Sequence, residues 1–79
     1  MSNGQMEKAH TKTIEIVLNG EPRPVPEGST LQELLGFLEI DGSRVAIERN
    51  REIVRKNLWG TTIVESADQL EVVWFVGGG

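Results

Sequence analysis

The chain has no cysteine, and its single histidine is His10, near the amino terminus. Without cysteine there can be no disulfide, no thiolate nucleophile and no cysteine-ligated metal. With one histidine in an N-terminal stretch, a Ser-His-Asp triad built from the globular part is excluded. No apolar run approaches the roughly 20 residues that a bilayer-spanning helix needs. The first residues also lack the charged, apolar and small-residue succession of a secretory signal, so a cytoplasmic location is the default expectation. Cations are the scarcer charge: eight Lys and Arg stand against twelve Asp and Glu, for a net charge of −4 and a pI near 4.9. This balance argues against nucleic acid and for protein partners with a basic or neutral face.

Seventy-nine residues with 38% hydrophobic and 25% charged content describe one small globular domain. A domain of this size buries only about 60% of the surface its unfolded chain exposes, so its core must be compact. Residues 1–12 are polar and aperiodic and read as a disordered leader. Lys8 and Lys12 against Glu7 make that leader +1, which leaves −5 on the rest. Residues 13–76 read as the folded domain and 77–79 as a tail.

Thr13–Leu18 places Ile14, Ile16 and Leu18 on one face at period two, as in a half-buried strand. Asn19-Gly20 follows, the strongest short hairpin signal, because both turn positions tolerate positive φ. Glu21–Val25 is then the returning strand. Pro22 and Pro24 cannot donate to a ladder, which places this strand at a sheet edge with the missing amides turned to solvent.

Thr30-Leu31-Gln32-Glu33 forms a capping-box pattern. Leu31, Leu34, Leu35 and Leu38 follow at i, i+3, i+4 and i+7, one apolar stripe for a helix lying on a sheet. Gly36 inside that stripe costs about 1 kcal/mol relative to alanine, and is read as a point of close approach to a neighbour. Asp41-Gly42 is expected to end the helical region.

Val45–Glu48 reads as a third strand, turned by Arg49-Asn50-Arg51 into Glu52–Val54. An irregular connection through Leu58–Thr62 carries Trp59, expected to anchor it against the core. Ser66-Ala67-Asp68 is a further turn. Leu70–Phe75 begins by alternating and then becomes apolar on both faces, as a strand in the middle of a sheet would. The arrangement that covers it is a mixed sheet of four to five strands, its last strand parallel to its first and one main helix across one face. That is an α+β, β-grasp (ubiquitin-like) order.

Gly77-Gly78-Gly79 follows that strand. Glycine has no Cβ, so such a tail can enter a narrow cleft, with a reach of roughly 10 Å at about 3.3–3.6 Å per residue. Gly79 is the candidate reacting group through its carboxylate, Gly78 the permissive hinge and Gly77 the spacer. Phe75 and Val76 are expected to finish the core, with the rim of the tail's exit as their other placement. An apolar patch of Trp59, Ile63, Phe75 and Val76 is the candidate docking surface, against the plainer expectation that Trp59 and Ile63 complete the core. Glu48 and Glu52 are carboxylates in reach of acid-base work in principle, but a solvated hairpin accounts for them.

With fold order and tail together, the chain resembles the ThiS family, the sulfur carriers of thiamin biosynthesis. The likeness is carried by Leu18-Asn19-Gly20, by Thr30–Leu35, by Val45–Val54 and by Asp68–Gly79. The resemblance implies that a ThiF-type adenylating enzyme activates the Gly79 carboxylate with ATP. Sulfur originating from a cysteine desulfurase then displaces AMP, leaving a thiocarboxylate from which thiazole synthase takes the sulfur. On this likeness the chain is no enzyme, binds no cofactor or metal itself, touches neither nucleic acid nor membrane, and is a monomer when free. Family members often carry Asn-Gly-Glu where this chain has Asn50-Arg51-Glu52, so a different loop is expected there. A molybdopterin-synthase small subunit, a ubiquitin-like modifier and a noncovalent interaction module are the alternatives.

Overall fold

The computed structural model describes residues 12–76; the expected leader, apart from Lys12, and the glycines Gly77, Gly78 and Gly79 lie outside them. In chain order the elements are β1 (Thr13–Leu18), β2 (Glu21–Pro26), helix α1 (Leu31–Phe37), β3 (Val45–Arg49), β4 (Glu52–Val54) and β5 (Gln69–Trp74). Short 3₁₀ turns occupy Gly42–Arg44 and Lys56–Leu58. The strands form one sheet in the order β2-β1-β5-β3-β4. β5 is parallel to β1 and antiparallel to β3, which is the β-grasp arrangement expected from the strand and helix order.

The first hairpin follows from its turn. Asn19 and Gly20 both take positive φ, 50° and 85°, and the register pairs Leu18 with Glu21 and Thr13 with Pro26. On its other side β1 uses its odd-numbered residues: the Val17 amide donates to the Asp68 carbonyl at 2.9 Å, and the Ala67 amide to the Glu15 carbonyl at 2.8 Å. The even-numbered residues therefore bond to β2. Pro22 and Pro24, opposite Val17 and Glu15, occupy positions whose amides would point away from β1, so their missing donors cost the ladder nothing.

Helix α1 starts on the capping box. The Glu33 amide donates to Thr30 Oγ1 at 3.1 Å, and the Thr30 amide to Glu33 Oε1 at 3.0 Å. Leu31, Leu34 and Leu35 are buried, each side chain contributing about 1.5–3 kcal/mol of burial. The helix ends sooner than the expected stop at Asp41-Gly42. Glu39 takes φ 58°, its amide bonds to the Gly36 carbonyl and the Ile40 amide to the Leu35 carbonyl. This is a Schellman ending with glutamate in the place glycine usually takes, and Asp41-Gly42 opens the following 3₁₀ turn instead. Gly36 marks no close approach, for open space lies where its side chain would point.

The core lies between helix and sheet and includes Ile16, Val25, Val45, Ile47, Val64, Leu70 and Val72 with the helix leucines. Trp59 completes it, 2% exposed, its indole N–H donating to the Val54 carbonyl at 2.9 Å. β5 is central, as expected, but only one of its faces is buried. Leu70 and Val72 point into the core, while Glu71 and Val73 lie on the open side. A single short helix covers one face of the sheet and leaves the other to solvent.

The second hairpin, where a slightly different loop was expected, closes on a two-residue turn like the first. Asn50 and Arg51 have φ of 51° and 76°, nearly the geometry of Asn19 and Gly20, with Arg49 paired to Glu52. This two-residue turn carries an arginine in a conformation that favours glycine.

Candidate functional site

The candidate site is the end of β5, the last strand of the sheet. β1 accompanies β5 only as far as the pair Leu18 and Leu70. Beyond it the Asn19 side chain replaces the missing strand, its Oδ1 accepting from the Val72 amide at 2.8 Å. On the other flank β3 continues to the pair Val45 and Trp74. One residue later the Phe75 amide donates to the Arg44 carbonyl at 2.9 Å.

Arg44 belongs to the 3₁₀ turn that Asp41 organises. Asp41 Oδ1 accepts from the Ser43 amide at 2.9 Å and from Ser43 Oγ at 2.8 Å. These two hydrogen bonds hold the Asp41 carboxyl below its ordinary pKa, with Arg44 a lesser contributor. The Arg44 to Asp41 contact itself, 3.9 Å between exposed groups, adds little. The turn can sit close because Gly42 carries no side chain: a Cβ there would lie 3.1 Å from Trp59 Cζ3. The tail root is thus tied to the core through Arg44, Gly42 and the buried indole.

Around that root the surface is apolar. Val73 is 49% exposed, Trp74 51%, Phe75 59% and Val76 93%. The expectation that Phe75 and Val76 finish the core is therefore corrected in favour of the rim: Leu70 and Val72 join the core with the helix leucines, whereas the residues that follow them are exposed. Trp59 is corrected as a docking residue, since its ring is enclosed. Ile63, 47% exposed, bridges to Thr30 while its neighbours carry the backbone contacts, with the Val64 amide on the Ser29 carbonyl and the Leu31 amide on the Thr62 carbonyl.

The other end of β5 is held by residues that local sequence pattern does not flag. Asp68, buried, accepts from Arg49 Nε at 2.8 Å, from Asn50 Nδ2 at 3.1 Å and from the Glu65 amide at 2.8 Å. Burial pulls its carboxyl upward, but the Glu65 amide, the Arg49 guanidinium and the Asn50 amide outweigh that and set its pKa below the ordinary 3.8. The cluster joins the β3–β4 turn to the start of β5. Glu48 and Glu52 share no pocket that would make them an acid-base pair; Glu48 lies opposite Glu71 and Glu52 closes the hairpin. Among the described residues no group of three or more His, Asp or Glu is placed to hold a metal ion, and no helix is long and apolar enough to cross a membrane.

The model of the ThiS family matches residues 16–79, from the first strand through the last glycine. The chain belongs to the ThiS family. It is 38% identical over 50 residues to the sulfur carrier protein ThiS of Bacillus subtilis, covering 63% of this chain and 76% of that one. A crystal structure of the thiamine biosynthesis protein ThiS from Geobacter metallireducens superposes with a TM-score of 0.75 at 30% identity, covering 84% of this chain and 100% of that one. The chain is also 44% identical over 66 residues to a thiazole synthase of Paramagnetospirillum magneticum, where it spans 84% of its own length but only 20% of that protein. In that protein a ThiS-like segment shares a polypeptide with a much longer remainder.

Proposed function

We propose that this ThiS-family chain is a sulfur carrier whose Gly79 carboxylate is the reacting group. The observation that carries the reading is the apolar strand end, exposed from Val73 to Val76 and held at Phe75 by the Arg44 carbonyl, the last such bond among the described residues. A folded domain gains nothing by leaving four consecutive apolar side chains in water; an enzyme that binds the root of the tail gains from each. Past Phe75, four residues extend at most about 13–14 Å at 3.3–3.6 Å each, enough to bring Gly79 to a recessed centre while the sheet stays outside.

A carboxylate resists nucleophiles until one oxygen becomes a good leaving group. The Gly79 oxygen attacks the α-phosphorus of ATP on a ThiF-type enzyme, releasing pyrophosphate and forming an acyl-adenylate. A persulfide sulfur derived from a cysteine desulfurase then adds to the acyl carbon and AMP departs; a second thiol, supplied by the partner or by a small-molecule reductant, attacks the outer sulfur of the resulting acyl disulfide, becoming a disulfide with it and releasing the Gly79 thiocarboxylate. Thiazole synthase is the proposed acceptor, supported by the shared polypeptide in the Paramagnetospirillum magneticum relative. The carrier contributes no acid or base and needs no cofactor or metal; ATP belongs to the partner. A cytoplasmic monomer suits these exchanges.

The deciding experiment is intact-mass measurement after incubation with ATP, a ThiF-type enzyme and a sulfur source. The expected product is heavier by one sulfur-for-oxygen exchange, localised to Gly79. Deletion of Gly79, or one residue added after it, abolishes that product while the melting temperature stays unchanged. A branched glycine to lysine peptide in place of the thiocarboxylate would establish a protein modifier and overturn the carrier reading.

A further inference from the structure

The two edges of the sheet are built differently. β2 turns Pro22 and Pro24 outward, so its edge lacks donors at both positions. β4 has no such block. Along β3 the even-numbered residues face β5: the Asn50 amide donates to the Gln69 carbonyl at 2.7 Å, and the Phe75 amide to the Arg44 carbonyl. The odd-numbered residues therefore face β4, where Arg49 pairs with Glu52 and Ile47 with Val54. Ile53, between those pairs, turns its N–H and its C=O away from the sheet.

An open groove of about 560 Å³ runs beside this edge, lined by all of β4 and by Arg55, Leu58 and Thr62. Ile53 is 63% exposed and Leu58 46%, so it offers apolar surface as well as backbone. Its charge is opposite to that of the molecule. Residues 49–56 hold Arg49, Arg51, Arg55 and Lys56 against Glu52 alone, while the whole chain is −4. Arg49 is committed to Asp68 and Lys56 lies over the Trp59 ring at 5.6 Å. Arg55 lines the groove with no ion-pair partner among the described residues.

We propose that the β4 edge and its groove receive an extended acidic segment of a partner protein as an added strand. The segment's carbonyl accepts from the Ile53 amide and its amide donates to the Ile53 carbonyl. An apolar side chain packs on Ile53 and Leu58, and a carboxylate meets Arg55. An acidic segment is specified because the rest of the carrier, being acidic, repels it, so the attraction is confined to this edge. The docking uses neither the tail nor the apolar strand end and stands independently of the carrier chemistry.

The test titrates the ¹⁵N-labelled full chain with an N-acetylated, C-amidated hexapeptide of alternating valine and glutamate. Saturable shifts at Ile53, Val54 and Arg55, with slowed exchange of the Ile53 amide, are expected. A peptide with lysine in place of glutamate does not bind. Ile53→Pro removes the outward donor, as Pro22 and Pro24 do on the far edge, and abolishes binding without touching an internal ladder bond. Arg55→Glu, which no fold contact opposes, weakens binding about fivefold and decides the matter if the proline variant is unstable. Absence of saturation at Ile53, equal binding of the lysine peptide, or shifts centred on Val73 would overturn the proposal. So would self-association through Ile53, which would make a second copy the occupant.

Discussion

Asn19 and Asn50 hold the central strand from opposite sides with the same atom. Asn19 Oδ1 accepts from the Val72 amide at 2.8 Å and Asn50 Oδ1 from the Gln69 amide at 2.9 Å. Each residue also occupies the first position of a two-residue turn at φ near 50°. Asparagine is suited to both tasks, because its short polar side chain tolerates the left-handed region and reaches backbone groups. Asn50→Ala is expected to cost roughly 1–2 kcal/mol in denaturant unfolding, from the lost bonds to Gln69 and Asp68 and from alanine's poorer tolerance of positive φ. Asn50→Gly relieves the backbone strain without restoring the bonds, and falls between alanine and wild type.

Arg51 sits at φ 76° and Glu39 at φ 58°, where a side chain is strained. Arg51→Gly and Glu39→Gly are each expected to stabilise by about 0.5–1 kcal/mol, the relief of strain partly offset by the freer unfolded chain. The two sites share no hydrogen bond, so their effects on the melting temperature should add.

Asp68 links acid stability to the β5 anchor. Its folded pKa lies below the ordinary 3.8, so its contribution is fully present above the unfolded value and is lost as pH falls through the folded one. Wild-type stability should therefore drop below about pH 4. Asp68→Asn is expected to lose roughly 1–3 kcal/mol at neutral pH, leaving Arg49 half-buried and unpaired. Its unfolding free energy should then vary less with pH across the acid range.

Gly42→Ala places a Cβ against an indole that cannot easily yield, since Trp59 is enclosed and its N–H is fixed to Val54. A loss of about 1–3 kcal/mol is expected from this overpacking, read as a lower denaturation midpoint with unchanged slope.

Val76→Asp should leave the melting temperature unaltered, because the side chain is 93% exposed. The same substitution is expected to lower kcat/KM for ATP-dependent activation by a ThiF-type enzyme at least about tenfold. Unchanged kinetics would remove the apolar strand end from the partner interface.

The local signals carried most of this architecture. The period-two strands, Asn19-Gly20, the outward prolines and the Thr30 to Glu33 capping box each specify their own geometry within a few residues. The helix terminus was obscured because Glu39 does what glycine ordinarily announces; the second turn was legible at Asn50 and Arg51, and only its geometry, with Arg51 at positive φ, was not. The exposure of Phe75 and Val76 was hidden for a different reason: apolar composition tells that a residue avoids water, not whether its shelter is its own core or another protein. Asp68 and Arg49 meet across 19 positions of sequence, a pairing that depends on β3 lying beside β5 and on nothing nearby in the chain.

The central place of β5 has a mechanical corollary. Tension applied along the axis of β5 would load a strand bonded lengthwise to β1 on one flank and to β3 on the other. Such a load shears many hydrogen bonds at once, whereas a pull on an edge strand would unzip them singly. The body can therefore act as a rigid handle while force is applied to its last few residues.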